Sequence, residues 1–155
     1  MGDGSARMPR PGSNGPGHGS SRATTASTSS GRGRWPHARH YAALDLGTNN
    51  CRLLIARPQG AGFAVVDAFS RIVRLGEGIA THGKLSDAAI ERTIAALRVC
   101  ADKLRKRNVA LSRSVATEAC RRASNGTAFI ERVYRETGIA LDIITAEEEA
   151  RLAVL

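Results

Sequence analysis

The order of apolar and polar positions divides the chain near residue 40. Beyond that point two short apolar runs, residues 41–46 and 51–57, are separated by Gly-Thr-Asn-Asn, and a longer run over residues 63–75 follows a Pro- and Gly-containing turn signal. Three such runs joined by two short connections predict a three-stranded antiparallel meander.

Later positions follow helical spacing. Apolar residues recur every three or four positions over residues 86–107, with Ser86 as a suitable N-cap, which predicts an amphipathic helix. The same pattern predicts a second helix over residues 127–137, ended by Gly138. Short strands are predicted at residues 113–117 and 139–143.

The last predicted helix starts at Ala146 and continues to Leu155 without a cap. The complete predicted order is therefore βββαβαβα. A meander followed by strand–helix units predicts an α/β fold, with a mixed sheet and helices packed on it. Because the last helix is uncapped, we expect a domain truncated in that helix.

Residues 1–40 have a different composition. They hold eight of the sixteen glycines, many serines, threonines and arginines and, apart from Trp35, almost nothing to bury, which predicts a disordered tail. A solvated extension, a weak phosphate- or RNA-contacting arm and a targeting peptide are the three open interpretations of this tail.

Charge and cysteine content narrow the function classes. Six arginines and Asp3 give the first 40 residues a net charge of +5, which leaves +4 of the total +9 for residues 41–155 and argues against nucleic acid as the main partner. Three widely spaced cysteines without a C-x-x-C pair argue against a disulfide framework and indicate a reducing cytoplasm. No apolar run approaches the roughly 20 residues that cross a membrane.

The first candidate site is the polar hairpin DLGTNN. Gly47, Thr48, Asn49 and Asn50 offer small side chains, a hydroxyl and amides of the kind that cradle phosphate, and Asp45 is a candidate ligand for Mg²⁺, directly or through water. An ordinary four-residue turn is the alternative, because glycine and asparagine favour positive φ.

A second candidate site, ATEACRRASN over residues 116–125, follows a predicted strand end, where α/β folds form ligand sites. Arg121 offers a guanidinium fork suited to phosphate oxygens, and the alternative is a solvated surface arginine.

The third site is the start of the last helix. Thr145 and Glu148 form a predicted capping box. Glu149 lies beyond that box and is aligned with Leu152 and Ala153, which are expected to face inward. A carboxylate on a buried stripe is a candidate general base.

Five segments occur in order over about residues 41–155: DLGTNNCRLLIA, RLGEGI, GKLSDAAIERTIAAL, ATEACRRASNG and IITAEEEARLAV. Together they resemble the exopolyphosphatase / guanosine pentaphosphate phosphohydrolase (Ppx/GppA) family of the actin-like ATPase superfamily. The resemblance implies that residues 41–155 form the N-terminal lobe of such a phosphatase, with an actin-like ATPase (ribonuclease H-like) fold.

The resemblance also implies an activity. It is the release of orthophosphate from the end of inorganic polyphosphate, or of the 5′ phosphate of guanosine pentaphosphate, with Mg²⁺ or another divalent cation. By position in the family motifs, Asn49 binds phosphate, Arg121 contacts the substrate phosphate and Glu149 activates the attacking water. Phosphoryl transfer requires this combination of charge neutralisation and an oriented water.

Departures from the family pattern shape the remaining expectations. Asn50 stands where serine is usual and Ala146 where glycine is usual, and the family's second phosphate loop, Asp-x-Gly-Gly-Gly-Ser, does not occur in these 155 residues. We therefore expect little activity from this chain alone and a second lobe as its partner. For the full-length family form, the resemblance implies a homodimer.

Three other functions stay open on the sequence. They are a non-enzymatic lobe that binds polyphosphate or a nucleotide, a sugar-kinase-like ATPase, and an RNA-binding protein that acts through its tail. The sequence does not separate polyphosphate from guanosine pentaphosphate as substrate.

Overall fold

A computed structural model describes residues 39–154, so the prediction for residues 1–38 lies outside the described part. Five strands form one sheet in the order β3-β2-β1-β4-β5. The pairs β1–β2 and β2–β3 are antiparallel, whereas β1–β4 and β4–β5 are parallel, which confirms the predicted mixed sheet. The strands are β1 (His40–Leu46), β2 (Asn50–Gln59), β3 (Gly62–Ile72), β4 (Val109–Ala116) and β5 (Asp142–Ile143).

The helices are α1 (Ile79–His82), α2 (Asp87–Lys106), α3 (Glu118–Arg122), α4 (Gly126–Thr137) and α5 (Ala146–Ala153). The caps of the two long helices are confirmed: the Ser86 hydroxyl accepts the N–H of Ala89 at 3.2 Å, and Gly138 ends α4 in the left-handed region at φ 76°. Within residues 39–154 no helix combines the length and apolar character that a membrane span requires.

Strand alternation gives the sheet one buried face. Leu44 and Leu46 of β1 and Cys51, Leu53 and Ile55 of β2 are all buried in one cluster with the apolar side of α2. The sulfur atoms of Cys51 and Cys100 lie 4.0 Å apart, which shows that α2 packs directly on this face. The core therefore lies between the sheet and α2, with α4 packed beside α2.

The opposite face of the sheet carries the polar residues that alternate with the buried apolar residues along each strand. Asp45 of β1 and Arg52 of β2 are register partners on this face, and both are exposed. Arg113 of β4 is exposed there as well. The face that lacks α2 is therefore the one that offers charged side chains.

Several predicted boundaries were wrong. β3 ends at Ile72 rather than at residue 75, because Arg74 takes a left-handed φ of 49°. The predicted strand over residues 139–143 shrinks to β5, in which Ile143 is exposed and the following Ile144 is buried. The short helices α1 and α3 were not predicted.

The stripe predicted for α5, Glu149 with Leu152 and Ala153, does face the sheet, but the burial expected of it was wrong. This helix has no buried residue, Leu152 is 43 % exposed, and Ala153 is exposed. Burial therefore does not hold α5 in place, and polar contacts at its first turn must do so.

The connection between α3 and α4 depends on a close backbone approach. The Asn125 side chain accepts the N–H of Leu85 at 2.8 Å and donates to its carbonyl at 3.0 Å, which ties this connection to the start of α2. A Cβ built at the neighbouring Gly126 would overlap the carbonyl oxygen of Cys120. Glycine is required here by space and not by an unusual φ.

We therefore expect Gly126→Ala to lower the free energy of unfolding by about 1–3 kcal/mol, because a backbone oxygen cannot rotate away from the added methyl group. Urea denaturation followed by circular dichroism measures this. Gly62→Ala is the matched control, since its Cβ meets no atom within 4 Å. Equal stability of the two variants would contradict the close approach.

Candidate functional site

The site lies where two chain segments leave the same edge of the sheet. β1 and β4 run parallel, and Leu46 is the register partner of Ala116. The next residue, Thr117, donates its N–H to the Leu46 carbonyl at 3.1 Å. The hairpin after β1 and the start of α3 are therefore held side by side.

The hairpin itself is tight. Gly47 donates its N–H to the Asn50 carbonyl at 2.9 Å, which leaves Thr48 and Asn49 at the tip. Within residues 39–154 the N–H groups of Thr48 and Asn49 donate to no carbonyl. These two groups are therefore available to an anion.

The segment after β3 braces the hairpin by donating hydrogen bonds to the carbonyl groups of the hairpin. Gly76 donates to the Thr48 carbonyl at 2.9 Å, and Val73 and Arg74 donate to the Asn49 carbonyl at 2.8 Å and 3.0 Å. Because the carbonyls are fixed in this way, the peptide groups of the hairpin have a defined orientation.

Arg92 of α2 holds this bracing segment in turn. Its Nε donates to the Val73 carbonyl at 3.1 Å, and its guanidinium forms an ion pair with Glu77 at 2.6 Å. A single arginine thus links the longest helix to the segment that orients the hairpin.

The ordinary-turn interpretation of the hairpin rested on positive φ, and the backbone does not support that reason. None of Gly47, Thr48, Asn49 and Asn50 has a positive φ. A Cβ at Gly47 would lie 3.6 Å from the Asn50 carbonyl oxygen and 3.8 Å from the Thr117 hydroxyl, which are ordinary contact distances. Local structure therefore does not require glycine at position 47.

Arg121 connects the second and third candidate segments. Its Nη1 donates to the Ile144 carbonyl at 2.6 Å, and Nη1 and Nη2 both donate to Oε2 of Glu149 at 3.2 Å. The two residues predicted to bind phosphate and to act as base are therefore in direct contact.

The first turn of α5 has further polar contacts. The Thr145 hydroxyl accepts the N–H of Glu148 at 3.1 Å, which confirms Thr145 as the N-cap. The second half of the predicted capping box is not found among the described hydrogen bonds, because the Glu148 carboxylate pairs with Arg113 at 2.6 Å. The pKa of Glu147 is lowered by a hydrogen bond from its own N–H and by one from the Thr145 hydroxyl.

An open cavity of about 500 Å³ lies between α5 and the exposed face of the sheet. Asp45 and Glu149 both line it. The hairpin residues 47–50 do not line the cavity. Thr117, which follows the strand beside the hairpin, is part of the cavity wall. The lining residues are Ala43, Leu44, Asp45, Arg52, Leu54, Arg113, Val115, Thr117, Ile144, Glu149, Leu152 and Ala153.

The carboxyl groups of Asp45 and Glu149 interact electrostatically across the cavity. Although the Asp45 side chain is exposed to solvent, the surrounding cavity wall desolvates its carboxyl group, and this effect, followed by the nearby Glu149 carboxylate, raises its pKa, while Arg52 partly offsets the rise. Burial also raises the pKa of the Cys120 thiol to about 12, so this thiol stays protonated at neutral pH and is unsuited to act as a nucleophile.

Sequence reasoning missed three polar residues of the cavity: Arg52, Arg113 and Thr117. Arg52 alternates with buried apolar neighbours along β2, which would have placed it on the open face with Asp45. Arg113 and Thr117 come to the cavity through the pairing of β4 with β1, which no local pattern reveals.

The five-stranded mixed sheet and its helices have the arrangement expected of an actin-like ATPase lobe. The sequence profile of the Ppx/GppA phosphatase family matches residues 54–155. The chain belongs to the Ppx/GppA family.

Solved structures agree with this assignment. The crystal structure of the Aquifex aeolicus member of the Ppx/GppA family is 36 % identical, with a TM-score of 0.71 over 74 % of this chain and 38 % of its own. An exopolyphosphatase-like protein is 33 % identical (TM-score 0.70, 76 % of this chain and 36 % of its own). An exopolyphosphatase from Cytophaga hutchinsonii is 27 % identical (TM-score 0.70, 74 % and 36 %). The chain thus spans less than two-fifths of the length of these relatives.

The coupling of the two carboxylates can be tested directly. Glu149→Gln removes a negative charge that raises the pKa of Asp45, so we expect the pKa of Asp45 to fall towards the ordinary range for this carboxyl group. Carboxyl ¹³C chemical shifts recorded against pH without divalent cations measure it. Glu148→Gln is the control, since Glu148 pairs with Arg113. An equal fall in both variants would contradict the coupling.

The raised pKa of Asp45 also makes the free energy of unfolding depend on pH. Because folding raises the pKa of Asp45, the folded state favours the protonated carboxyl, and ionisation at neutral pH costs stability. The stability associated with the protonated form is present below the unfolded pKa and is lost as pH rises through the folded pKa. Glu149→Gln should flatten this loss.

Proposed function

We propose that the chain forms one side of a site for metal-dependent phosphoanhydride hydrolysis. The reaction releases orthophosphate from the end of inorganic polyphosphate or the 5′ phosphate of guanosine pentaphosphate. The observation that carries the proposal is the contact of Arg121 with Glu149 at a cavity that Asp45 also lines. Solved relatives named as exopolyphosphatases support the choice of reaction.

Glu149 takes the role of general base. Its side chain is 44 % exposed, so water reaches the carboxylate. Arg121 binds only Oε2 among the described contacts, which leaves Oε1 to accept a proton from the attacking water. A carboxylate held in one position can direct this water in line with the scissile bond.

Arg121 takes the role of phosphate ligand. The guanidinium carries five N–H donors, and its contacts with Ile144 and Glu149 leave others for a phosphate oxygen. Its side chain is only 23 % exposed, and a charge-assisted hydrogen bond is stronger in such a partly buried position.

The hairpin supplies neutral donors. The free N–H groups of Thr48 and Asn49, beside a glycine that carries no side chain, suit a terminal phosphate. The Thr48 carbonyl shares its peptide plane with the Asn49 N–H, so the bond from Gly76 orients this donor before the substrate binds, which reduces the reorganisation that binding requires.

The donor set fits Mg²⁺. Within the described residues no group of three or more His, Cys, Asp or Glu side chains could hold an ion unaided. Mg²⁺ typically takes one or two carboxylates and completes its shell with water and substrate phosphates, so Asp45 at the cavity wall is its proposed ligand. When bound, the ion would neutralise charge on the phosphates.

The proposal assigns only part of the catalytic apparatus to this chain, because the chain spans 38 % of its Aquifex aeolicus relative. We also propose a second lobe as the partner of this chain and the cytoplasm as its location. Its tests therefore measure phosphate binding as well as turnover.

The role of Glu149 is tested by Glu149→Gln. We expect this change to reduce Mg²⁺-dependent phosphate release from long-chain polyphosphate by about 100-fold or more, because an amide cannot accept the proton. Single-turnover release from ³²P-labelled polyphosphate gives the rate, and calorimetry with tripolyphosphate gives the affinity, which should stay near that of the wild type.

Glu148→Gln is the matched control, one residue away and paired with Arg113. If both variants release phosphate at the same rate, Glu149 is not the base. If the wild-type chain does not bind tripolyphosphate, the phosphate site itself is refuted.

The role of the hairpin is tested by Gly47→Ala. The added Cβ meets nothing closer than 3.6 Å, so we expect the free energy of unfolding to change by less than about 0.5 kcal/mol. The methyl group should nevertheless weaken tripolyphosphate binding by about tenfold, because it occupies space beside the donors. Thermal melting and calorimetry measure the two effects, and unchanged binding would contradict the role of the loop.

A further inference from the structure

Thr117 is buried, yet it lines the cavity. It is 4 % exposed and joins the end of β4 to α3. A residue in this position touches both the hairpin after β1 and the cavity that Asp45 and Glu149 share. Neither the resemblance nor the sequence pattern gave it a role.

The hydroxyl of Thr117 makes one long hydrogen bond within the described residues. Threonine at the start of a helix ordinarily accepts a backbone N–H of the first turn, but the Thr117 side chain makes no such cap. Its hydroxyl donates to the Leu46 carbonyl at 3.4 Å, well beyond the 2.7–2.8 Å usual for an O–H···O bond. That carbonyl already accepts the Thr117 N–H at 3.1 Å.

A buried hydroxyl without a good hydrogen bond is costly, and valine would fill the same volume without this cost. The arrangement makes physical sense if a ligand completes the bond. The hydroxyl lies 3.8 Å from the position that a Cβ of Gly47 would occupy, so it borders the hairpin at the residue whose side chain is missing.

We propose that the Thr117 hydroxyl is a further phosphate ligand. It turns from the Leu46 carbonyl and donates to a non-bridging oxygen of the phosphate that the hairpin holds. The hydroxyl hydrogen rotates freely about the C–O bond, so the change needs no backbone movement. This inference rests on the proposed function, because it assigns an additional donor to the same phosphate site.

Thr117→Val tests the proposal, with inorganic tripolyphosphate and Mg²⁺ as the probe and the whole 155-residue chain as the protein. We expect the dissociation constant measured by calorimetry to rise by about tenfold or more, the loss typical of a hydrogen bond to a charged group. Thr117→Ser keeps the hydroxyl and should restore binding to within about threefold of wild type.

Thr93→Val is the matched control. Thr93 is also fully buried, but its hydroxyl makes a short bond of 2.8 Å to the Ala89 carbonyl within α2, and it does not line the cavity. Removing this hydroxyl should leave tripolyphosphate affinity unchanged, whatever it does to the melting temperature. Thr117→Ala serves as a second hydroxyl-deleting variant if Thr117→Val does not fold.

The outcomes separate the inference from the proposed function. Weak binding by the hydroxyl-deleting variants, together with rescue by serine, supports the role of Thr117. Unchanged binding by these variants beside a wild-type chain that binds tripolyphosphate overturns that role and leaves the proposed function standing. A wild-type chain that does not bind tripolyphosphate overturns both.

Discussion

The parallel pairing of β1 with β4 is the constraint on which the candidate site depends. Leu46 and Thr117 are 71 positions apart in the sequence, and the pairing brings their backbones into hydrogen-bond contact. Parallel strands end at the same sheet edge, so the hairpin after β1 and the turn into α3 must meet. Arg121 follows one turn later and reaches the start of α5. Each of these contacts would be lost if β4 shifted its register against β1.

Local sequence signals predicted the parts of the fold whose stability is local. The apolar periodicity of α2, its Ser86 cap and the Gly138 stop act within a few residues, and all three are found in the structure. The single-turn helices α1 and α3 escaped prediction, since helices of four and five residues do not persist without tertiary support. The early end of β3 has the same origin, because Arg74 takes a positive φ and donates its N–H to the Asn49 carbonyl, which is distant in the sequence.

The candidate site divides in a similar way. Asp45, Arg121 and Glu149 were identified from short motifs, and the structure brings them to one cavity or into direct contact. The stripe on α5 that led to Glu149 does face the sheet, but it is not buried as expected. The role of Thr117 could not be read from the sequence, and neither could the contact of Arg92 with the segment that braces the hairpin. Each depends on partners many residues away.

The absence of buried side chains in α5 has a consequence for how the site responds to its surroundings. Exposed charges more than about 8 Å apart are largely screened at physiological ionic strength, and closer exposed pairs weaken as salt is added. The ion pair of Arg113 with Glu148 belongs to this exposed class, whereas the pair of Arg121 with Glu149 is partly buried through Arg121 and is screened less. We therefore expect dissolved salt to weaken the first contact more than the second, so Arg121 becomes the main polar anchor of the helix that carries Glu149 as the electrolyte concentration rises.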